Sequence, residues 1–342
     1  LATCLFSVTA QVKTKTVVSK DRGSLFKTTG SPQYAVLNIN NITSWMRYDG
    51  QSNRSPSGDD GMYYPRGTAS VVYQDGLVWG GKVFTDAAHT SIAPRQTVRV
   101  GGSAYGVVTR AGAVTGRGAT AVAEDTASAG VRIYRIRRDF WTMDYDDQRR
   151  DAASVNEIPA SSVTYIQAAA IGGQYASDWN NWPISKGAPF IDRNGNGIYD
   201  PPPTMTSQFT PESLITGNYD DPGVAGRDPR LPADQVIWTV YNDLDSATTA
   251  NLAFSEPLGL EVQKTAWAYD RTDAFGNFFF VRYRIINKGG VDTSAAPGMQ
   301  KGSFWIDSMY VVQWSDPDVG SASDDLAGCD VERSLGYAYN GG

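Results

Sequence analysis

The chain has 342 residues, a net charge of −6 at pH 7 and a sequence pI of about 4.9. This length leaves room for roughly two domains with an ample core. Basic residues form only short runs such as Arg135, Arg137 and Arg138, which argues against a nucleic-acid partner, and no run of about 18 apolar residues predicts a transmembrane segment.

The N-terminal stretch LATCLFSVTAQ runs from apolar into small residues. This pattern is typical of the end of a secretory signal peptide, with a cleavage site after Ala10; the alternative is an ordinary N-terminal strand. If Cys4 leaves with the signal, Cys329 remains alone and no disulfide framework exists. We therefore expect residues 1–10 to be a signal-peptide remnant of a secreted protein.

Residues 11–155 are predicted to form an N-terminal β domain. Alternating stretches such as TVVSK and YAVLNIN indicate strands. The segment SVVYQDGLVWGGKVF predicts a hairpin with Asp75 and Gly76 as its two-residue turn. Further on, VRIYRIRRDFWTMDYDD alternates apolar residues with arginines from Val131 onward. It predicts a half-exposed strand whose arginines face solvent.

Residues 156–234 are predicted to be a helical and loop connector, with one helix around residues 160–178. From Gln235 the pattern is β again: four alternating segments at short spacing predict a second β-sandwich domain, residues 235–342, which we expect to continue beyond Gly342. The predicted fold class is mainly β, with antiparallel β-sandwich domains, long loops and one short helical segment.

The connector contains PFIDRNGNGIYDPPP, which matches much of the loop of an EF-hand. Such a loop supplies oxygen ligands from positions 1, 3, 5, 7 and 9 and needs a glycine at position 6 for its sharp bend. Here position 6 is Gly197. The five candidate calcium ligands are Asp192, Asn194, Asn196, Ile198 (through its backbone carbonyl) and Asp200.

The match ends at position 12, where Pro203 replaces the bidentate glutamate and no helix can follow. The loop therefore resembles the weak calcium loops of extracellular modules, with a dissociation constant on the order of 10⁻⁴ to 10⁻³ M. The alternative is a turn without metal, because asparagine and glycine are common turn residues. The prediction is a calcium ion that joins loops rather than a calcium sensor.

Two further segments are rich in aspartate. The segment SDPDVGSASDDLAGCD holds a weaker second metal cluster, for which a solvated acidic loop is an equal alternative: Asp316, Asp318, Asp324, Asp325 and Asp330. The segment NYDDPGVAGRDP holds Asp220, Asp221 and Asp228, and we interpret it as a loop that lends a carboxylate to the first site.

Catalytic motifs are sparse. His89 is the single histidine, so a zinc site built from several histidines is excluded, and no G-x-S-x-G or Walker A motif occurs. The remaining enzyme class is a glycosidase that uses paired carboxylates, for which Asp144, Asp146 and Asp147 beside Trp141 are the candidates. The same aromatic residues suit a sugar-binding platform. No catalytic residue is assigned.

A set of segments resembles the N-terminal region of large secreted proteins of Bacteroidota and Ignavibacteria, most of unassigned function, which usually carry a type IX secretion sorting domain. The resemblance covers most of residues 40–342 and rests on the segments PRGTASVVYQDGLVWGGKV, DWNNWPISKGAPFIDRNGNGIYDP, VAGRDPRLPADQVIWTVYNDLD, PLGLEVQKTAWAYD, FFVRYRIINKGG and IDSMYVVQWSDPDVGSASDDLAGCD. It implies export, attachment to the outer cell surface or release, and a modular chain.

Taken together, the sequence predicts a secreted, calcium-stabilised extracellular protein with a structural or adhesive role and no catalysis. Two alternatives remain open. One is a carbohydrate-binding module or a glycoside hydrolase, and the other is a subunit of an extracellular filament or surface layer whose β-edges pair between chains. The expected partners are cell-surface polysaccharide or other copies of the chain.

Overall fold

A computed structural model describes residues 32–58, 60–105, 108–202, 210–225 and 232–341. The predicted signal remnant, the strand predicted at TVVSK, Pro203 and Asp228 lie outside the described residues.

The described residues form short and long β-strands in chain order: β1 (Tyr34–Leu37), β2 (Thr43–Arg47), β3 (Met62–Tyr63), β4 (Ser70–Phe84), β5 (Val98–Gly102), β6 (Arg110–Ala111), β7 (Val114–Thr115), β8 (Val122–Ala123), β9 (Tyr134–Arg137), β10 (Phe190–Ile191), β11 (Asp221–Pro222), β12 (Gln235–Asn242), β13 (Leu260–Ala268), β14 (Phe280–Asn287), β15 (Val291–Asp292), β16 (Lys301–Gly302), β17 (Trp305–Pro317), β18 (Asp325–Asp330) and β19 (Leu335–Asn340).

The α-helices of the described residues are α1 (Tyr145–Asn156), α2 (Tyr165–Asn180), α3 (Pro211–Thr216) and α4 (Ser246–Ala253). Short 3-10 helices lie at Gly118–Thr120, Ala160–Ser162, Ile184–Lys186 and Ala274–Asn277. The helix predicted around residues 160–178 is confirmed as α2, which starts at a capping box formed by Thr164 and Gln167. Helix α1 begins within the segment 131–147, which the sequence predicts as strand. At its start the side chain of Asp144 accepts the N–H of Asp147.

Two antiparallel sheets dominate the structure. The first has the order β1-β2-β3-β4-β17, with β5 also paired to β4. The second has the order β14-β13-β12-β6, with β9 also paired to β12. The remaining pairs are β7–β8, β10–β11, β15–β16 and β18–β19. The predicted mainly-β, antiparallel fold is therefore confirmed.

Strand β12 is buried on both faces. Its successive side chains point to opposite faces of the sheet and pack in two different layers. Val236, Trp238 and Val240 pack in a cluster with residues of α1 and α2. On the opposite face Ile237 packs with residues of β1 and β2, and Tyr241 packs with residues of β4. The second sheet thus lies between the helices and the first sheet, and the two sheets pack as a sandwich.

A polar layer interrupts the apolar core between the two sheets. The buried amine of Lys264 on β13 donates to the Gly50 carbonyl (3.3 Å) and contacts Ser52. The carboxylates of Asp49 and Asp75 lie close enough to offset part of the burial effect on its charge, yet burial still lowers the pKa of Lys264 to about 8. The sequence offered no signal for this layer, because Lys264 occupies one position of an ordinary alternating strand.

The hairpin predicted at Asp75 and Gly76 is wrong. Strand β4 runs through both residues without a break and pairs with β17 along its length. Gly76 is needed for another reason: a Cβ there would stand 2.5 Å from the carbonyl oxygen of Ser103. The Asp-Gly pair therefore marks a close approach of two backbones rather than a turn.

The prediction that the arginines of the 131–147 segment face solvent is also wrong for Arg135. This residue is 7% exposed and forms a bidentate ion pair with Asp151 of α1. The two nitrogen-to-oxygen distances are 2.6 and 3.0 Å. Its Nε donates to the Val36 carbonyl (2.7 Å). Arg135 lies opposite Ile237, on the face of the second sheet that packs against β1 and β2. The alternation therefore separates two buried layers rather than a buried face and a solvent-exposed face.

The predicted domain boundaries stay a prediction. Strand pairing nevertheless connects the predicted N-terminal and C-terminal regions in both sheets. In the first sheet β4 pairs with β17, and in the second β6 and β9 pair with β12. Within the described residues, no helix is both long and apolar enough to cross a membrane.

Candidate calcium loop

The candidate loop follows β10 and is held at its start by the pairing of β10 with β11. Its backbone is curled by its own side chains. The two carboxylate oxygens of Asp192 accept the N–H groups of Gly195 (2.7 Å) and Gly197 (2.8 Å). The side-chain oxygen of Asn194 accepts the N–H of Asn196 (3.0 Å). Each such bond closes a tight local turn.

Three of the predicted ligand side chains meet at one point. The carboxylate of Asp200 accepts the amide groups of Asn194 (3.1 Å) and Asn196 (2.7 Å). These hydrogen bonds from the side-chain amides of Asn196 and Asn194 hold the pKa of Asp200 below its ordinary value. The structure therefore brings the side chains at positions 3, 5 and 9 of the loop together, with the Asp200 carboxylate turned toward the two amides.

Gly197 takes a backbone conformation that favours glycine. Its φ is +74°, in the left-handed region, and nothing lies within 4 Å of where a Cβ would be. Glycine is therefore favoured here by the backbone conformation and not by lack of space, as expected for the sharp bend at position 6. Ile198, the next residue, has an exposed side chain, and its N–H is bound by the side chain of Asn196 (2.7 Å).

Asp220 anchors both ends of the loop. Its buried carboxylate accepts the N–H of Arg193 (2.9 Å) through one oxygen and the N–H of Asp200 (2.8 Å) through the other. The sequence interpretation placed this residue beside the loop as a lender of a carboxylate. In the described structure the carboxylate fixes the loop backbone.

A second clamp joins the loop to the sheet. The buried carboxylate of Asp221 pairs with Arg138, just after β9, at 2.7 Å and with Arg193 of the loop. Its other oxygen is buried and has no hydrogen-bond partner among the described residues. On the opposite side the hydroxyl of Tyr199 donates to the Trp179 carbonyl at the end of α2 (2.7 Å). The loop thus connects the sheet region to the helical layer.

The donor set fits a weakly bound hard cation. Asp192 and Asp200 supply two carboxylates, and Asn194 and Asn196 supply amide oxygens, all of them the oxygen ligands that calcium prefers. No group of three His, Cys, Asp or Glu side chains able to hold a metal is found in the described part of the chain. A cation here would therefore depend on amide and backbone oxygens, which agrees with low affinity.

Two members of the second acidic cluster lie far apart. Asp325 and Asp330 lie at opposite ends of β18, about 17 Å apart at the usual rise of a strand, so they cannot bind one ion. Asp325 accepts the N–H of Val319 through both oxygens (3.2 and 3.3 Å). Asp330 pairs with Arg333. For Asp316, Asp318 and Asp324 a metal site stays a prediction.

The candidate glycosidase acids have structural contacts. Asp144 is the N-cap of α1, while Asp146 pairs with Arg149 (3.1 Å) and Asp147 with Arg150 (2.5 Å) on the exposed side of the same helix. Trp141 packs against the core near α2. His89 stacks on Phe84 in a loop and lies 3.7 Å from Asp307.

An open cavity of about 320 Å³ lies beside the paired ends of β6 and β12, next to β8. Its wall carries charged groups that already have partners: Arg110 pairs with Asp245 (2.7 Å) and Glu124 with Lys186 (2.8 Å). No aromatic ring of the described residues lines it. The cavity therefore shows no stacking surface for a sugar.

Comparison of the chain with protein families, with curated proteins and with solved structures finds no match in any of the three.

Proposed function

We propose that the protein is a secreted, calcium-stabilised extracellular protein with a structural or adhesive role. The observation that carries this proposal is the convergence of Asn194, Asn196 and Asp200 in a loop whose backbone is fixed by Asp220. The loop backbone is already ordered, so binding would require mainly a rotation of the two amides, whose oxygens now accept the N–H groups of Asn196 and Ile198. Little further conformational freedom would be lost, which favours affinity.

Asp192, Asn194, Asn196 and Asp200 would hold the calcium, together with the backbone carbonyl of Ile198. A bound calcium ion would supply positive charge to the carboxylates of Asp192 and Asp200. Two residues attach the loop to the rest of the fold. Asp220 holds the loop backbone, and the hydroxyl of Tyr199 donates to a carbonyl at the end of α2. Because binding to the folded state alone stabilises it by mass action, calcium tenfold above its dissociation constant contributes about 1.4 kcal/mol.

The test is thermal unfolding in EDTA and in millimolar calcium. We expect calcium to raise the melting temperature by a few degrees and Asp200→Asn to remove most of that increase. Asp146→Asn is the matched control, since it removes one exposed carboxylate elsewhere, and it should respond to calcium like the unchanged protein. Equal melting temperatures in EDTA and calcium, with no calcium by elemental analysis, would contradict the proposal.

A further inference from the structure

Strand β17 is a long edge strand. It spans 13 residues and pairs with β4 along one side. On its other side no strand of the described part of the chain is paired with it. A strand edge of this kind carries backbone N–H and C=O groups that can pair with another strand.

Four exposed residues of β17 have large apolar or aromatic side chains. Trp305 is 53% exposed, Tyr310 75%, Val311 45% and Val312 56%. Between Asp307 and Asp316 the strand carries no charged residue. Its central segment, Met309–Trp314, thus has high β-propensity and no charged residue. This combination promotes pairing with another strand.

Two other sheet edges of the described residues are charged or short. The edge strand β14 of the second sheet exposes two arginines, Arg282 and Arg284, and charges on an edge oppose pairing with another chain. At the other end of the first sheet, β1 has only four residues. Among the described edge strands β17 is the longest, and it pairs with β4 without a register shift from Tyr310 to Asp316. The hairpin of β18 and β19 also exposes apolar side chains, but each of its strands has only six residues.

We infer that β17 is a self-association edge, which pairs antiparallel with β17 of a second copy of this chain about a two-fold axis. With Val312 opposite Val312 of the second copy, Tyr310 falls opposite Trp314 and forms an aromatic cross-strand pair. This register also keeps Asp307 and Asp316 from facing their own copies, so no like charges oppose one another. The inference does not depend on the calcium loop, because β17 contains none of its residues.

The first test is the mass of the 342-residue protein by analytical ultracentrifugation over a wide concentration range, in EDTA and in calcium. We expect a reversible dimer whose dissociation constant rises at least about tenfold in Val312→Lys, because two lysines then lie opposite one another. Val122→Lys is the control, since Val122 is also 56% exposed but lies on β8. A protein that stays monomeric, or a dimer that Val312→Lys leaves unchanged, would overturn the inference.

The second test fixes the register. In a background in which Cys4 and Cys329 are replaced by serine, Val312→Cys should form an intermolecular disulfide on oxidation, since opposed residues of paired strands have Cα atoms within disulfide range. Val122→Cys should not. A monomer in which the cysteine at position 312 reacts slowly with a thiol reagent would mean that another segment of the same chain covers β17, and would also overturn the inference.

Discussion

Asp220 and Asp200 are bound to each other twice. The carboxylate of Asp220 accepts the N–H of Asp200 at 2.8 Å, and the N–H of Asp220 donates to the carbonyl of Asp200 at 2.9 Å. The first of these residues is fully buried, and the second offers its carboxylate to the loop interior. A fully buried acid thereby positions a half-buried one, as an outer partner positions a ligand in a metal site.

Asp220→Asn should destabilise the protein by about 2 kcal/mol. The variant keeps one acceptor oxygen but places an NH2 group against the N–H of Arg193 or Asp200, and hydrogen bonds to a charged group contribute about 1.5–3 kcal/mol. The measurement is urea unfolding. Asp147→Asn, which removes an exposed carboxylate of α1, should change the free energy of unfolding by less than about 1 kcal/mol. Equal effects of the two variants would contradict the anchoring role.

Gly197→Ala should lower the free energy of unfolding by about 1 kcal/mol, because an alanine at φ +74° is strained although space is free. Gly197→Asn should recover part of the loss, since asparagine tolerates this region. Gly173→Ala is a control of opposite sign. Gly173 lies within α2 with nothing near its Cβ position, so alanine there should stabilise by about 0.5–1 kcal/mol. Chemical denaturation of the three variants checks the order.

Asp151→Asn should cost about 3–5 kcal/mol, because it leaves the buried guanidinium of Arg135 without its counter-charge. The carboxylate also accepts the hydroxyl of Tyr175 (2.7 Å) and the amide of Asn38 (2.9 Å). The control is Asp146→Asn in the same helix, an exposed ion pair whose loss should cost less than about 1 kcal/mol. A loss below 1 kcal/mol for Asp151→Asn would show that the pair is not needed for stability.

The stability of the protein should depend on pH through Asp243. Burial raises the pKa of this carboxyl to about 6, although it accepts three backbone N–H groups from residues 258–260. A pKa above the unfolded value of 3.8 means that the folded state binds the extra proton between about pH 4 and pH 6. The stability from this group is therefore complete below pH 4 and is lost as the pH rises through 6.

Asp243→Asn removes this titration. Relative to the unchanged protein, the variant should be more destabilised at pH 4 than at pH 7, with a difference on the order of 2–3 kcal/mol. Asp49 and Asp178, whose pKa values burial also raises to about 6, remain in both proteins, so the difference isolates Asp243. Unfolding curves at several pH values give the comparison. A pH-independent difference would contradict the raised pKa.

Local patterns in the sequence were sufficient for several features. Alternation predicted β12, β13, β14 and β17 as strands, and the helix pattern predicted α2. The spacing of Asp192, Asn194, Asn196 and Asp200 predicted a loop that closes on itself, because residues two apart in a tight turn share a side and glycine permits the bend. These features depend on neighbours along the chain, which the sequence displays directly.

Other features depend on partners far apart in sequence, and only the tertiary structure decided them. Arg135 belongs to the core because β1 packs on its face of the sheet and Asp151 of α1 pairs with it, and β4 is continuous because β17 pairs along it. Asp220 serves the loop because the pairing of β10 with β11 brings it there. An alternating strand has the same pattern whether its polar face meets water or a second layer that pairs each charge. The sequence determined which residues alternate, and packing determined which faces are buried.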